Sequence, residues 1–486
     1  MSAGPFLRYN LVKGVIDKKI EAILNKFEVA HFEVAVVGGA VRDILQKKDV
    51  SDWDLATSAK PEEILKLFAN KSFYNNRFGT VGIKVDGEVV EVTTYRKEQR
   101  YKDWRHPDVV VWGKSLDEDL ARRDFTINAI ALKLGARGQG SGVGKKQDIY
   151  TLVSIPNTLI LVDPFDGQKD LKDKIIRTVG DPNKRFAEDA LRLIRAVRLA
   201  ITLGFEIEKN TRLAIIKNAK LIAKISGERV RDELFKIIDA ENAYVGILLL
   251  CETGLLTHIL PELDICFDVQ QKSPKRHHIF DVGTHCVMSL KFCPSKKTIV
   301  RFATLLHDIG KAKVANVTED GIRTFYNHEV VGGKQALVIS TRFNFSKTAR
   351  EKLFRLVRWH QFSVNENQTD KALRRFIRNV GLENVSDMMD LRVGDRLGGG
   401  LQQPESWRLK LFRKRLREVM VKPFTVADLK VDGHDVMKIL GLGPGPKVGE
   451  VLKSLFEEVA DDANKNNREY LLRRISQYKQ LKRNSI

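Results

Sequence analysis

Val36-Val37-Gly38-Gly39-Ala40-Val41-Arg42-Asp43, followed shortly by Asp52-Trp53-Asp54-Leu55, decides how the chain is read. The apolar run from Phe32 to Val37 predicts a buried strand, and Ala40 to Leu45 predicts a helix whose start rests on the two glycines. Such a turn can hold a phosphate, because free backbone amides and the positive end of the helix dipole favour an anion and glycine lets it come close. A Gly-Gly pair before a helix is more often only a tight turn. The next strand sharpens the reading, since Asp52 and Asp54 are two residues apart and so point to the same face. Adjacent carboxylates repel unless a cation lies between them, and oxygen ligands of this kind suit Mg²⁺, which also takes phosphates as partners.

Glu88-Val89-Val90-Glu91-Val92-Thr93 offers a third acid. Alternation buries Val90 and Val92 on one face and presents Glu91 on the other, beside the aspartates. Alone, Glu91 reads as an ordinary solvated strand residue. With the turn and the paired aspartates it describes two-metal nucleotidyl transfer, in which one ion activates a hydroxyl and the other clamps a triphosphate.

Gly38-Gly39-Ala40-Val41-Arg42-Asp43, Asp52-x-Asp54, Glu91-Val92-Thr93-Thr94-x-Arg96, Arg122-Arg123-Asp124-Phe125-Thr126-x-Asn128-Ala129 and Glu188-Asp189-x-x-Arg192 occur in an order and spacing that resemble the bacterial class II tRNA nucleotidyltransferase and poly(A) polymerase family. The match runs across the first half of the chain. It implies a polymerase beta-like head in which Asp52, Asp54 and Glu91 hold Mg²⁺, with Gly38, Gly39 and Arg42 in the nucleotide-binding turn. It further implies that Arg123 helps bind the nucleotide, that Asp124 holds a ribose hydroxyl, and that Asp189 and Arg192, with Arg195 nearby, form a protein template for the incoming base.

The residues allow that role. Arg185 to Leu203 is read as one helix with Ala190, Ile194, Val197 and Ile201 as its buried stripe, and with Glu188, Arg192 and Arg195 on another face. Asp189 then neighbours Arg192 at i+3, which on its own describes a salt bridge worth a few tenths of a kcal/mol. A carboxylate can accept from an exocyclic amine while a guanidinium donates to a ring nitrogen. Cytosine and adenine present that pair, whereas uracil and guanine present N–H and would leave polar groups unpaired.

Composition frames the rest. The 486 residues suffice for about three domains, and 43% apolar content supports a globular chain. No export signal is expected, nor any apolar run near the roughly 18 residues that span a bilayer. Cys251, Cys266, Cys286 and Cys293 lack metal-type spacing and read as reduced thiols of a cytoplasmic protein. Eighty-three Lys and Arg against 62 Asp and Glu give a net charge of +21, which points to a polyanion, and without an amphipathic anchor to nucleic acid rather than membrane.

A leading helix is expected over Gly14 to Phe27, and another running from Arg122 through Leu132. The polar, basic and aromatic segment Arg96 to Gly113, containing Tyr101 to Pro107, is expected to be a loop; in full-length CCA-adding relatives, the resemblance implies, a loop here helps the site switch from C to A. Gly135 to Lys146 reads as an insertion with no assigned role. Farther on, His285, Leu305-Leu306-His307-Asp308-Ile309-Gly310-Lys311 and Asp395, with His328 and His360 between, resemble the HD phosphohydrolase domain, in which such ligands converge on one metal from separate helices. Imidazole and carboxylate suit Mn²⁺, Ni²⁺ or Mg²⁺. The alternative use of this domain is as a scaffold. Gly441 to Gly449 precedes a helix expected from Glu450, and its resemblance to the tail of HD-containing relatives points to tRNA backbone binding.

The sequence therefore reads as α+β: a leading helix (1–30), a mixed-sheet nucleotidyltransferase head (31–180), a helical neck with the base-reading helix (181–270), an HD domain (271–400) and a basic helical tail (401–486). The expected function is completion of the tRNA 3′ CCA end from CTP and ATP. Two alternatives are a poly(A) polymerase, and an HD phosphohydrolase whose head is only an RNA-binding module.

Overall fold

The computed structural model describes residues 16–76, 79–97, 111–113, 115–134, 149–152, 159–271, 280–366, 368–420 and 426–483. Tyr101 to Pro107 and Gly135 to Lys146 lie outside them. Contacts divide the chain into two compact units, Met1–Pro261 and Glu262–Ile486.

The first unit is built on a mixed sheet. Its strands are β1 (Val34–Val37), β2 (Asp54–Thr57), β3 (Ser72–Asn76), β4 (Thr80–Val85), β5 (Glu88–Thr94), β8 (Ala131–Leu134), β9 (Ile149–Leu152) and β10 (Leu159–Val162), with β6 (Arg96–Lys97) and β7 (Val111–Trp112) forming a separate ribbon. Across the sheet the order is β3-β4-β5-β2-β1-β8-β10-β9. Only β2 and β5 run parallel; the other neighbours are antiparallel. The central strand β1 is apolar at every position because both of its faces are covered. Val34 and Val36 pack on one side with Ile20, Leu24 and Phe27 of helix α1 (Lys18–Val29) and Val41 and Ile44 of α2 (Gly39–Leu45). Ala35 and Val37 pack on the other with Ala56, Tyr95, Leu116 and Leu120.

Several expected boundaries shift. The first helix runs Lys18–Val29 rather than from Gly14 to Phe27, capped by Asp17, whose side chain accepts from the Lys19 amide. Asp52 lies before β2 rather than on it, so strand alternation does not by itself align it with Asp54. No helix spans Arg122 to Leu132. Instead a short helix over Leu116–Ala121 ends before the arginines, a 3-10 turn follows at Thr126–Asn128, and Ala131 opens β8. The apolar residues read there at helical spacing are needed in the sheet, where Leu132 faces Val36. Arg185 to Leu203 is also two helices, Pro182–Glu188 and Leu191–Leu203, broken at Asp189, whose φ of −140° and ψ of 105° are extended.

Among the described residues the second unit is helical apart from a short hairpin, Asn316–Val317 with Arg323–Thr324, and an isolated bridge between Gln270 and Asp281. Helices Val282–Phe292, Thr298–Leu306, His328–Arg342, Lys347–Trp359 and Val385–Gly398 pack together around Cys286, Leu290, Phe302, Leu353 and Met388. Helices Gly433–Leu440, Pro446–Asp461 and Arg468–Arg483 enclose a small core of Val436, Leu455, Val459, Leu471 and Ile475. The middle helix starts at Pro446, not Glu450, because proline is well suited to the first helical position. Cys266, Cys286 and Cys293 are buried and Cys251 half-buried, all as thiols. No helix among the described residues is long and apolar enough to cross a membrane.

Candidate functional site

The end of β1, at Val37, lines a cleft, and the Gly38-Gly39 turn follows it. Gly38, at φ 72°, precedes α2, and a Cβ there would stand 3.0 Å from Arg123 Nη1 and 3.5 Å from Asp54 Oδ2. Glycine lets both charged groups close over the backbone. A Cβ on Gly39 would stand 3.4 Å from Arg42 Nη2, and Arg42 donates to Asp43 (2.9 Å) and to Asn128 Oδ1 (3.0 Å).

The parallel pairing of β2 with β5 sets Asp54 directly across from Glu91. Asp52 is exposed and accepts from the Ser51 hydroxyl at 3.2 Å. Asp54 opens to the cleft, yet protein on its remaining sides raises its pKa; Arg123 opposes that rise, and the charges of Glu91 and Asp52 add to it. A carboxylate whose ionisation is made costlier by two neighbouring acids fits a divalent cation with oxygen ligands.

The cleft, about 400 Å³, is lined by Asp54, Thr93, Arg96, Arg122, Arg123, Asp124, Asp189, Arg192 and Arg195. Burial alone would push the Asp124 carboxyl up. The charges of Arg195, which stands 2.7 Å away, and Arg192 outweigh it, and hydrogen bonds from Asn128 and the Phe125 amide help hold the group below the usual carboxylate range. Asp124 in turn raises the pKa of Arg195. The Arg192 guanidinium donates to the carbonyls of Arg122 (3.0 Å) and Arg185 (3.2 Å) and to Glu188 (2.8 Å). Glu188 also accepts from Arg185 at 2.8 Å, so one carboxylate braces both arginines. Asp189 does not share a helix with Arg192. Its carboxylate accepts from the Leu191 amide at 3.0 Å and faces Arg229 at 3.4 Å. The break turns Asp189 into the cleft beside Arg192, a placement that unbroken helical spacing does not describe.

In the second unit His285, His307, Asp308 and Asp395 meet. His285 Nε2 lies 3.2 Å from His307 Nε2, 3.4 Å from Asp308 Oδ2 and 3.2 Å from Asp395 Oδ1. Burial would push the His307 imidazole down, but Asp308 and Asp395 push it up to about 10. Burial would likewise raise the Asp308 carboxyl, yet Lys311 and His307 hold it well below its ordinary range. Buried imidazoles facing the buried Asp308 and the half-buried Asp395 offer the donor types that suit a transition-metal ion.

Family models match as the poly A polymerase head domain over residues 34–177, the "Probable RNA and SrmB- binding site of polymerase A" over 204–266, the HD domain over 277–395 and tRNA nucleotidyltransferase domain 2 over 344–475. The CCA-adding enzyme of Geobacillus sp. (strain WCH70) is 41% identical over 242 residues, where this chain spans 54% of its length. That of Pediococcus pentosaceus is 46% identical over 459 residues, 94% of this chain and 96% of its own. The chain belongs to the family of CCA-adding enzymes. A crystal structure of the Bacillus stearothermophilus CCA-adding enzyme in complex with CTP superposes with a TM-score of 0.65 at 26% identity, covering 96% of this chain and 99% of that one. CCA-adding enzymes are tRNA nucleotidyltransferases, and nucleotidyltransferases of this kind use divalent metals, generally Mg²⁺.

In this CCA-adding fold three supporting residues escape sequence reasoning. Asn128 links Arg42 to Asp124, and Arg229 faces Asp189 from the helix Gly227–Asp239. Asp119 is fully buried and accepts from Arg122 (2.9 Å) and Arg123 (3.0 Å), two of the five arginines that line the cleft. Its spacing of three and four residues from them was visible, but an acid on a short helix gives no sign of burial. Asp119→Asn keeps the shape but removes the anion, leaving one amide oxygen to accept from one arginine and an NH₂ that cannot pair with the other. Because both guanidiniums still reach solvent, we expect a stability loss of about 2 kcal/mol, below the 3–5 typical of breaking a fully buried pair, together with weaker nucleotide binding. Thermal melting and the KM for CTP check this; unchanged values in both would show that Asp119 positions neither arginine.

Proposed function

We propose that the head cleft transfers cytidylate and adenylate from CTP and ATP to the 3′ end of tRNA, stopping at CCA, with Asp52, Asp54 and Glu91 as the Mg²⁺ ligands. The observation that carries this reading is the meeting in one cleft of the acid opposite Glu91 with the Asp189 and Arg192 side chains. Bound Mg²⁺ would lower the pKa of the primer hydroxyl and stabilise charge on the triphosphate. Arg123 reaches over Gly38 toward the phosphates, Asp124 accepts a ribose hydroxyl, and Asp189 and Arg192 meet the amine and ring nitrogen of C or A. The CTP complex of the B. stearothermophilus relative supports the nucleotide assignment. The basic tail is read as a tRNA backbone contact, and tRNA as the substrate, with reduced thiols, fits a cytoplasmic enzyme. Incubating the protein with tRNA lacking CCA and with each nucleotide separately, then sequencing the 3′ ends, tests the reading. Long A tails on unstructured RNA, with CTP ignored, would instead make it a poly(A) polymerase.

The His and Asp cluster of the second unit favours a second activity, hydrolysis of phosphate esters with Mn²⁺, Ni²⁺ or Mg²⁺ held by His285, His307, Asp308 and Asp395. His307→Ala combined with Asp308→Ala is expected to remove metal-dependent phosphatase or cyclic phosphodiesterase activity and spare CCA addition, because the head has its own ligands. Loss of nucleotide transfer in a folded double variant would contradict two independent sites.

A further inference from the structure

We propose that Asn128 and Arg42 are positioning residues for the sugar of the incoming nucleotide, acting through Asp124, and that Arg42 does not itself touch the nucleotide. This rests on the reading of Asp124 as the acceptor of a ribose hydroxyl and adds the two side chains that aim it.

Arg42 follows the Gly38-Gly39 turn, yet the lining of the cleft includes Arg123 and Asp124 and neither Arg42 nor Asn128. Its guanidinium is turned to protein. Nε donates to Asp43 Oδ1 at 2.9 Å, Nη2 stands 2.8 Å from the same oxygen, and Nη1 donates to Asn128 Oδ1 at 3.0 Å. The fork rests against Gly39, where a Cβ would stand 3.4 Å from Nη2, 3.8 Å from Nη1 and 3.9 Å from Cζ. A guanidinium has no acceptor, so the Asn128 atom that faces it is the amide oxygen, and the NH₂ is turned to Asp124, where Nδ2 donates to Oδ1 at 3.2 Å. Arg42 thereby decides which way the amide points. The buried asparagine has a fixed seat: it ends the 3-10 turn Thr126–Asn128, and its backbone amide donates to the Phe125 carbonyl at 2.9 Å. That turn is pinned in turn by the Thr126 hydroxyl, which donates to Asp170 at 2.7 Å, and by Gly167, where a Cβ would lie 2.3 Å from the Thr126 carbonyl oxygen.

Asp124 is held below the usual carboxylate range, so it is ionised and only accepts. A carboxylate offers about four lone-pair positions. Oδ1 takes the Phe125 amide at 2.8 Å and Asn128 Nδ2 at 3.2 Å, and Oδ2 takes Arg195 Nη2 at 2.7 Å. That leaves a position on Oδ2 for a hydroxyl reaching in from the cleft. With two donors on Oδ1 the carboxylate cannot turn about its last bond, and the remaining lone pair keeps one direction. The side chain is only 10% exposed, so a sugar without the hydroxyl leaves that lone pair with neither a partner nor ready access to water. A site built to hydrogen-bond its ligand rejects an analogue most strongly in this way. Without Asn128 Nδ2 the carboxylate is free to turn, and less is lost when the hydroxyl is missing. Asn128 and Arg42 therefore act on the choice of sugar at one and two steps' remove.

The test is single addition to tRNA lacking CCA, with CTP against 2′-deoxy-CTP and 3′-deoxy-CTP. The full chain is compared as wild type, Asp124→Ala, Asn128→Ala, Asn128→Asp, Arg42→Met, and Arg42→Met combined with Asn128→Ala. Each ratio of kcat/KM values is taken on one preparation, so any unfolded fraction cancels. The hydroxyl that Asp124 holds is the one whose removal wild type rejects more strongly than Asp124→Ala does. Asn128→Asp keeps an acceptor for Arg42 but sets oxygen against Asp124, and so breaks only the second link. Both Asn128 variants are expected to lose about tenfold in the ratio for that hydroxyl, through CTP rather than the analogue. Arg42→Met should lose less in the same direction, and the double variant no more than Asn128→Ala alone, because the two residues act in series. A merely structural asparagine would slow CTP and both analogues alike. Arg42→Met that weakens all three equally would overturn the indirect role of Arg42. Asn128 variants at the wild-type ratio, with that ratio lost in Asp124→Ala, would overturn the positioning role and leave the reading of Asp124 standing. A wild-type ratio for both analogues in Asp124→Ala would overturn the reading of Asp124 as well.

Discussion

Asp54→Ala is expected to lower nucleotide addition by about 10³-fold or more while leaving tRNA binding within a factor of two. Asp54 sits at the first residue of β2, paired in register with Glu91, and its carboxyl is already held at a raised pKa by burial and by the two neighbouring acids. Alanine relieves that repulsion, so the fold should not suffer. What is lost is the anionic pocket that would gather Mg²⁺ beside the triphosphate. Three decades in rate correspond to about 4 kcal/mol of transition-state stabilisation, within the range that one well-placed electrostatic group supplies. Primer binding draws on a surface of positive charge spread over a chain of net +21. Single-turnover CTP incorporation and a tRNA gel-shift measured side by side check the split. Near-normal incorporation would move the chemistry away from this strand.

The head was legible because its signals are local. Val34 to Val37 is apolar at every position, Gly38 takes a positive φ, and Glu91 alternates with buried valines; each follows from the residue and its immediate neighbours. Two parts were not legible for the same physical reason. The segment 129–134 carries apolar residues that satisfy helix and strand spacing alike, and only the partner strand β1 decides between them. The break at Asp189 has no glycine or proline to announce it. Arg185 and Arg192, both paired with Glu188, hold the two helices in place by donating to the carbonyls of Ala121 and Arg122, which no window of sequence contains. The HD cluster was read by pattern, but the division of Asp308 between two sets of histidines is a matter of which oxygen faces which ring.

Arg192→Lys is expected to cost selectivity more than rate. The guanidinium of Arg192 is nearly buried and is fixed by two carbonyls and the Glu188 carboxylate, so its orientation in the cleft is set before a nucleotide arrives. Lysine keeps the charge that Glu188 needs and so should keep the helix junction intact. It loses the planar fork, and with it the ability to satisfy the two carbonyls and donate in a fixed direction to a ring nitrogen. A pocket that hydrogen-bonds its ligand rejects a mismatched one by leaving buried groups unpaired, worth 10⁴–10⁵ where the fit is tight; a flexible ammonium can follow the wrong base, so discrimination of CTP and ATP over UTP and GTP should fall by about 10²-fold. Asp189→Ala should act in the same direction from the other side of the base, since Asp189 lines the same cleft from the break between the helices. Single-nucleotide incorporation ratios for the four triphosphates, taken alongside melting temperatures, separate a lost template from a loosened fold. If folded Arg192→Lys and Asp189→Ala both reject UTP and GTP at the wild-type ratio, base choice is made elsewhere than at this junction.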